Sequence, residues 1–226
     1  MKGKLYIVST PIGNLKDITL RALEVLKEVD FIACEDTRVT SFLLKHFDIK
    51  KELTSLNAVN ETKKSAKICD RILNGENCAL TSDAGTPSIS DPGVRLVSLA
   101  IKENISVVPI PGITALITAL SISGLPTDSF VFEGFLPQKK GRQKKLKQLA
   151  EEKRTIVLYE STYRIEKLLS ELKEYMPNRT VAVCRELTKK FEETWRGKPD
   201  EILNNLNTKV TKGEFVVVIS PMNWKV

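Results

Sequence analysis

The chain has 226 residues, a formal net charge of +7 and a hydrophobic fraction of 42%. This length allows one large or two small domains, with enough buried surface to fold without disulfides or a structural metal. The four cysteines share no C-x-x-C spacing and His46 is the only histidine, which argues against a zinc site, a disulfide framework and a histidine-based hydrolase triad.

The N-terminal residues predict a cytoplasmic protein. Residues 1–4 lead directly into a strand-length apolar run, without the long apolar segment and cleavage site of a signal peptide. No apolar stretch approaches the length of a membrane span. The basic excess suits an anionic partner such as RNA, and a surface charged for solubility explains it equally well.

Strands and helices alternate along the first half of the chain. Apolar runs of strand length occur at 4–8, 29–34, 53–56, 78–80 and 106–110. Helical patterns lie between them, with Thr19, Asn60 and Asp91 as expected N-caps, and with Pro92 as the first helical residue after Asp91. The short connections predict βαβ units and a mostly parallel sheet.

The second half repeats this alternation after a change of composition near Pro111. Its expected strands are 129–132, 155–159, 180–184 and 214–219. We therefore expect two α/β domains, 1–111 and 112–226, with a ligand cleft between them.

The loop 80–93 has the composition of a ligand-binding loop. It follows a strand, is rich in Gly, Pro, Ser and Thr, and contains Asp83 and Asp91 but no basic residue. In open α/β sheets small ligands bind at the carboxyl ends of strands. Asp83 could accept hydrogen bonds from a ligand, and Gly85 would allow close approach to the backbone. The alternative is a capped turn without a ligand.

Other strands also end in polar or small-residue loops. They are 9–14, 35–38, 111–115, 159–161 and 185–190. None matches G-x-G-x-x-G or G-x-x-x-x-G-K-[ST], which disfavours a usual dinucleotide fold and a P-loop nucleotidase. Spacing alone does not name the ligand.

The segment 138–147 is strongly basic. Its charged residues are Lys139, Lys140, Arg142, Lys144, Lys145 and Lys147. They predict either a solvated helix face or contacts to RNA phosphates, and no aromatic residues interleave with them to stack bases.

Six motifs occur along the chain in one order. They are Thr10–Leu15 with Asp17–Thr19, Cys34–Arg38, Ser82–Gly93, Pro111–Leu116, Tyr159–Ser161 and Arg185–Lys189. Together they resemble the ribosomal RNA small-subunit methyltransferase I family, which has the tetrapyrrole-methylase-like, class III methyltransferase fold. The resemblance extends from Lys4 to about Ile219.

The resemblance implies S-adenosylmethionine as methyl donor, no metal, and a homodimer. It implies transfer to the ribose 2′-hydroxyl of a cytidine in the decoding region of 16S rRNA, in free RNA or in the 30S subunit. It places the donor in the cleft between the two domains. The donor contacts it implies are Pro11, Gly13, Asp83, Gly85, Thr86, Thr114, Ala115 and Tyr159.

A ribose hydroxyl is a poor nucleophile, so its proton must be accepted as it attacks. Asp36 and Glu35 are the candidate bases, and Glu186 is the second choice. Arg38, Arg185 and Lys189 are the expected substrate contacts. Each carboxylate has the alternative role of a structural salt-bridge partner, and Lys189 that of plain surface charge.

The chain departs from the family pattern in two places. Members usually carry histidines after the third strand and after the Tyr-Glu-Ser motif, where this chain has Ser55–Glu61 and Ser161–Arg164. We therefore expect no histidine base there. Longer members also carry a helical extension after the last strand. This sequence stops at Val226, so we expect that part of the RNA contact to be absent or supplied otherwise.

Two other functions stay open on the sequence. A sister methylase acting on a corrin ring or a protein histidine would share the donor loops. A ribosome-assembly RNA-binding protein would keep the fold without catalysis.

Overall fold

The computed structural model describes residues 1–208 and 210–224. The chain forms two compact units, Met1–Thr114 and Ala115–Val226. The helix that begins at Ala115 packs on the sheet of the second unit, whereas the residues just before it stay with the first. The domain boundary placed after residue 111 stays a prediction.

The first unit is a parallel sheet with helical connections. Its strands are β1 (Lys4–Val8), β2 (Phe31–Cys34), β3 (Glu52–Ser55), β4 (Cys78–Thr81) and β5 (Ser106–Ile110). Its helices are α1 (Leu20–Glu28), α2 (Thr37–His46), α3 (Glu61–Leu73) and α4 (Val94–Lys102), with a 3₁₀ turn at Leu15–Asp17. The strand order is β3-β2-β4-β1-β5, which confirms the predicted parallel α/β fold of this half.

Helices cover both faces of this sheet, which explains the continuous apolar runs of its strands. One core contains Leu26 of α1 and Leu44 of α2, and the other contains Ile68 of α3 and Leu96 of α4. β1 and β4 are neighbours, and their following connections lead toward opposite edges of the sheet, to β2 and β5. The carboxyl ends of β1 and β4 therefore form the topological switch point where α/β proteins bind ligands.

Two of the expected helix caps have different outcomes. Thr19 caps α1 as predicted, because its side chain accepts a hydrogen bond from the backbone N–H of Ala22 at 3.1 Å. Asn60 holds the N-cap position of α3, but its side chain accepts from the N–H of Asn57 and does not cap the helix.

The helix start expected at Asp91 was wrong. α4 begins at Val94, with Gly93 in the N-cap position. The cap comes from another helix: the Oε1 of Glu61, in the first turn of α3, accepts hydrogen bonds from the N–H groups of Gly93 and Arg95, each at 2.9 Å. Glu61 therefore does for α4 what an N-cap side chain normally does.

The second unit is built on a mixed sheet. Its strands are β6 (Phe130–Phe135), β7 (Thr155–Ser161), β8 (Val181–Arg185), β9 (Glu193–Gly197) and β10 (Glu214–Ile219). Its helices are α5 (Ala115–Ser123), α6 (Arg142–Ala150), α7 (Ile165–Tyr175) and α8 (Pro199–Asn204), followed by a 3₁₀ turn at Leu206–Thr208. β6 pairs parallel with β7, whereas β10 pairs antiparallel with β7 and β8, and β8 with β9. The sequence patterns missed β9 and α8, so the strand–helix alternation expected throughout this half fails after β8.

A buried carboxylate joins three elements of this unit. Glu160 lies at the end of β7 with its side chain fully buried, and its Oε1 is 2.7 Å from the Nε of Arg164. Its Oε2 lies 3.7 Å from the Nη2 of Arg142, which also pairs with Glu171 at 2.7 Å. Arg142 is the first residue of α6, so this network holds the starts of α6 and α7 against β7.

The basic segment is therefore not uniformly a solvated face. Arg142 is 3% exposed, and Lys145 pairs with Glu133 at 2.6 Å. Its exposed charges are Lys139, Lys140, Lys144 and Lys147.

Glu160→Ala should lower the free energy of unfolding of the second unit by about 3 kcal/mol, because it leaves buried guanidinium groups without their counter-charge. Both tryptophans, Trp195 and Trp224, lie in this unit, so denaturant unfolding followed by tryptophan fluorescence reports on it. As a control, Glu152→Ala removes a more exposed pair with Arg154 and should cost less than about 1 kcal/mol. Equal losses in the two variants would contradict the structural role of Glu160.

Candidate active site

The loops that follow β1 and β4 are joined by their backbones. The N–H of Thr10 donates to the carbonyl of Gly85 at 2.8 Å, and the N–H of Gly85 donates to the carbonyl of Thr10 at 2.9 Å. The Oγ1 of Thr10 donates to the Ser82 carbonyl at 3.1 Å, and the hydroxyls of Ser9 and Thr86 lie 3.0 Å apart. The two loops at the switch point therefore form one rigid unit.

The end of β5 completes this group of loops. The hydroxyl of Thr86 donates to the carbonyl of Ile113 at 3.2 Å. A Cβ placed on Gly112 would lie 2.7 Å from the Cβ of Ser9, so a larger residue would force these loops apart. Thr114, half-buried, is the last residue of this unit.

Glycine is required at position 85. Its φ of +81° is a conformation that other residues rarely adopt. A Cβ there would also lie 3.3 Å from the Cγ2 of Ile12. Of the two implied donor contacts in the β1 loop, Pro11 is buried and Gly13 is exposed.

The rest of the β4 loop is held in a strained conformation. Ser88 and Ser90 have φ values of +70° and +64°, which cost on the order of 1–3 kcal/mol each. Glu61 anchors the far end of the loop through its hydrogen bond with the Gly93 N–H. Strain of this kind persists only where the surrounding structure enforces it, and it is typical of functional sites.

Asp83 connects this loop to the end of β2. Its Oδ1 accepts a hydrogen bond from the backbone N–H of Asp36 at 2.9 Å. Partial burial raises the pKa of Asp83 above its usual value, and the nearby charge of Asp36 adds to this effect. The ends of β1, β2, β4 and β5 thus meet around Asp83 and Gly85.

Three carboxyl groups of these loops, Glu35, Asp83 and Asp91, form an acidic edge. Burial raises the pKa of Glu35, and the charges of Asp83 and Asp91 raise it further. Burial also raises the pKa of Asp91 to about 6, although a hydrogen bond from Ser82 opposes the shift. Mutual repulsion in a partly buried place makes this edge attractive to a cation or a proton.

The two candidate bases differ in their surroundings. The Oδ1 of Asp36 accepts from the N–H of Arg38 at 2.8 Å and so caps α2. Hydrogen bonds from the Arg38 guanidinium and backbone lower the pKa of Asp36 to about 2. Asp36 is therefore a weak proton acceptor with a capping role, whereas Glu35 keeps a raised pKa. The Arg38 side chain itself is 89% exposed.

In the second unit, Tyr159 belongs to an aromatic cluster. Its ring meets Phe132 edge-on, with 4.9 Å between ring centroids, and Phe135 at 5.7 Å. Tyr159 and Ala115, the first residue of α5, are both half-buried, so each retains accessible surface.

The guanidinium of Arg185 is bonded within its own unit. Arg185 is 5% exposed and donates to the carbonyls of Lys212 at 2.8 Å and Phe191 at 3.0 Å. Its Nη1 also lies 3.3 Å from the Oε1 of Glu193. This geometry favours a structural role for Arg185, which supports the loop after β8.

Lys189 lies in that loop and is also paired. Its Nζ is 2.9 Å from Glu186 and 2.8 Å from Glu214. Burial acts to raise the pKa of Glu186, but the Lys189 ammonium and the Glu214 backbone N–H outweigh it and lower this pKa. Glu186 is thus a weaker proton acceptor than Glu35.

Sequence reasoning missed Glu61, Glu160 and Phe135. The Glu61 carboxylate caps a helix that begins more than thirty positions later, and no local pattern signals such a contact. The spacing of Phe132, Gly134 and Phe135 is a weak signal of a bulge that brings two aromatic rings to one face.

Other classes of site were searched in residues 1–208 and 210–224. No group of three or more His, Cys, Asp or Glu side chains there could hold a metal ion. No helix within the same residues is both long and apolar enough to span a bilayer. The cysteines are buried free thiols, as predicted.

Comparison with known proteins identifies the family. Residues 4–203 match the model of the tetrapyrrole (corrin/porphyrin) methylases. The chain is 48% identical to the ribosomal RNA small subunit methyltransferase I of Halalkalibacterium halodurans, over 100% of this chain and 78% of that protein. It is 46% identical to the protein of the same name from Thermotoga maritima, over 96% of this chain and 98% of that protein.

A solved structure shows the same fold. Uroporphyrin-III C-methyl transferase from Thermus thermophilus, complexed with S-adenyl homocysteine, is 18% identical with a TM-score of 0.66, covering 96% of this chain and 97% of that one. The expected methylase fold, with two α/β domains, is therefore confirmed. From the identity and coverage of its relatives, the chain belongs to the ribosomal RNA small subunit methyltransferase I family, within the tetrapyrrole methylases.

Proposed function

We propose that this chain transfers a methyl group from S-adenosylmethionine to the ribose 2′-hydroxyl of a cytidine in the decoding region of 16S rRNA. Family membership supports both the donor and the rRNA class of acceptor. The structural observation that carries the proposal is the acidic edge at the switch point of the first unit.

The residues of this edge fit the donor. S-Adenosylmethionine carries a positively charged sulfonium, and the carboxylates of Glu35, Asp83 and Asp91 would attract it in a chain that is basic overall. Gly85 offers backbone without a side chain, in a place that a Cβ would fill. Small residues and hydroxyls from three rigid loops surround this position.

The residues that would hold the donor are those implied by the resemblance. From the first unit they are Pro11, Gly13, Asp83, Gly85, Thr86 and Thr114. Ala115 and Tyr159 of the second unit stay predicted donor contacts. When bound, the donor supplies an electrophilic methyl group.

Glu35 is the proposed general base. Its raised pKa makes it a better acceptor of the 2′-hydroxyl proton than Asp36, whose carboxylate is committed to Arg38. Asp83 acts as a positioning residue, because it holds the backbone N–H next to Glu35 at 2.9 Å. Arg38, with its exposed side chain, is proposed to contact RNA phosphate, and Lys189 stays a predicted substrate contact.

We further propose that the chain acts as a homodimer on the 16S rRNA of the 30S subunit. Such a substrate implies a cytoplasmic location. The first test is incubation of the purified protein with 30S subunits and donor, followed by mass mapping of methyl groups. A new 2′-O-methylcytidine in the small-subunit RNA is expected. Donor binding without RNA methylation would instead point to a different acceptor.

Gly85→Val should weaken donor binding at least tenfold, because valine cannot adopt the left-handed backbone and would press on Ile12. Asp83→Ala should also weaken it, since the Asp36 N–H loses its partner. Isothermal titration with S-adenosylmethionine measures both. The control is Gly124→Val: Gly124 has a φ of +73° but nothing within 4 Å of its added Cβ. Unchanged donor affinity in Gly85→Val and Asp83→Ala would refute the site.

Donor affinity should fall several-fold as the pH is lowered from about 7 to about 5. Asp91 has a pKa of about 6, so it is ionised and attracts a cation above that pH and becomes neutral below it. Asp91→Asn should flatten this dependence and bind the donor more weakly at neutral pH. Titrations across this range decide the point, and the same slope in the variant would show that another group titrates.

Glu35→Gln should lower kcat for 30S methylation about 100-fold or more, because no group then accepts the ribose proton. Asp36→Asn is the matched control, since asparagine also caps helices well and should keep most of kcat. Single-turnover methyl transfer to 30S subunits separates this effect from donor binding. A large loss in Glu186→Gln, with Glu35→Gln active, would move the base to Glu186.

A further inference from the structure

A bulge in β6 brings three aromatic rings together at the end of β6 and β7. The pairing with β7 shifts register between Phe132 and Gly134, and Gly134 has a φ of +59°. The extra residue places Phe135 opposite Tyr159, on the same side of the sheet as Phe132. Without the bulge, strand alternation would turn Phe135 to the other side.

Phe135 is unusually exposed for a strand residue. It is 53% exposed, although its ring packs against Tyr159. The guanidinium carbon of Arg164 lies 5.7 Å from the centroid of the Phe135 ring. Buried Glu160 holds Arg164 at 2.7 Å, so ring and cation are fixed together. Tyr163, the preceding residue, is 95% exposed.

Exposed cations lie next to this ring in the chain. Lys139 and Lys140 are in the loop between Phe135 and α6. Arg142 holds that loop, because it donates to the Pro137 carbonyl at 3.1 Å and is itself buried. The surface thus combines oriented aromatic faces with free positive charge.

We propose that Phe135, Tyr163, Arg164, Lys139 and Lys140 bind unpaired nucleotides of the RNA substrate, with bases stacked on the rings and phosphates on the lysines. This inference rests on the proposed function, in which RNA is the acceptor. Aromatic rings beside cations are what single-stranded nucleic acid requires. A paired A-form helix hides its base faces, so duplex RNA would gain only the phosphate contacts.

The test is fluorescence anisotropy with a labelled, cytidine-containing single-stranded RNA oligonucleotide, and with the same strand in a duplex. Phe135→Leu and Tyr163→Leu should each weaken single-strand binding about fivefold or more. Their dependence on salt should stay that of the wild type, because no charge is removed. Lys139→Gln with Lys140→Gln should reduce the salt dependence for both RNAs.

Phe191→Leu is the matched control. Phe191 is 63% exposed and has the Nζ of Lys190 5.5 Å from its ring centroid, so it resembles Phe135 in exposure and charge. It should bind both RNAs like the wild type. Equal single-strand affinity in Phe135→Leu and the wild type would overturn the inference, as would an equal loss in Phe191→Leu.

Two further measurements separate this inference from the proposed function. The donor affinity of Phe135→Leu should equal that of the wild type, and a loss confined to donor binding would assign Phe135 to the donor pocket instead. Failure of the wild type to methylate 30S subunits would reject the proposed function alone. A wild type that methylates, with aromatic variants that bind single-stranded RNA normally, would reject this surface alone.

Discussion

The paired backbone hydrogen bonds between Thr10 and Gly85 are the contact on which the candidate site depends. They join the loops of two neighbouring strands whose connections leave in opposite directions. Once these loops are joined, the hydroxyls of Ser9 and Thr86 meet, and Thr86 reaches the end of β5 at Ile113. A site built from rigid loop backbones keeps its shape before a ligand arrives, which lowers the entropic cost of binding.

Electrostatics divides the work between the two units. The chain is basic overall, yet the loops of the first unit collect partly buried carboxylates, Glu35, Asp83 and Asp91. The second unit carries the exposed lysines of its basic segment. A cationic donor and a polyanionic acceptor require opposite charges, and the protein presents each in a different set of loops.

Two buried carboxylates position these loops without belonging to the proposed chemistry. Glu61 holds the end of the β4 loop and supplies the missing cap of α4. Glu160 holds the starts of α6 and α7, and with them the basic segment and Arg164. Each accepts from groups far away in the chain, and each is costly to remove because its partners would stay buried and unpaired.

The sequence by itself determined the strands Lys4–Val8, Ser106–Ile110 and Glu214–Ile219, since apolar periodicity is a local property, and its ordered motifs indicated the family. Only the tertiary structure decided which partner each charge meets. Arg142 and Arg185 have the composition of solvated cations, yet both are buried against carbonyls and carboxylates far away in the chain. Such pairings depend on how distant elements pack, and that information is absent from local spacing.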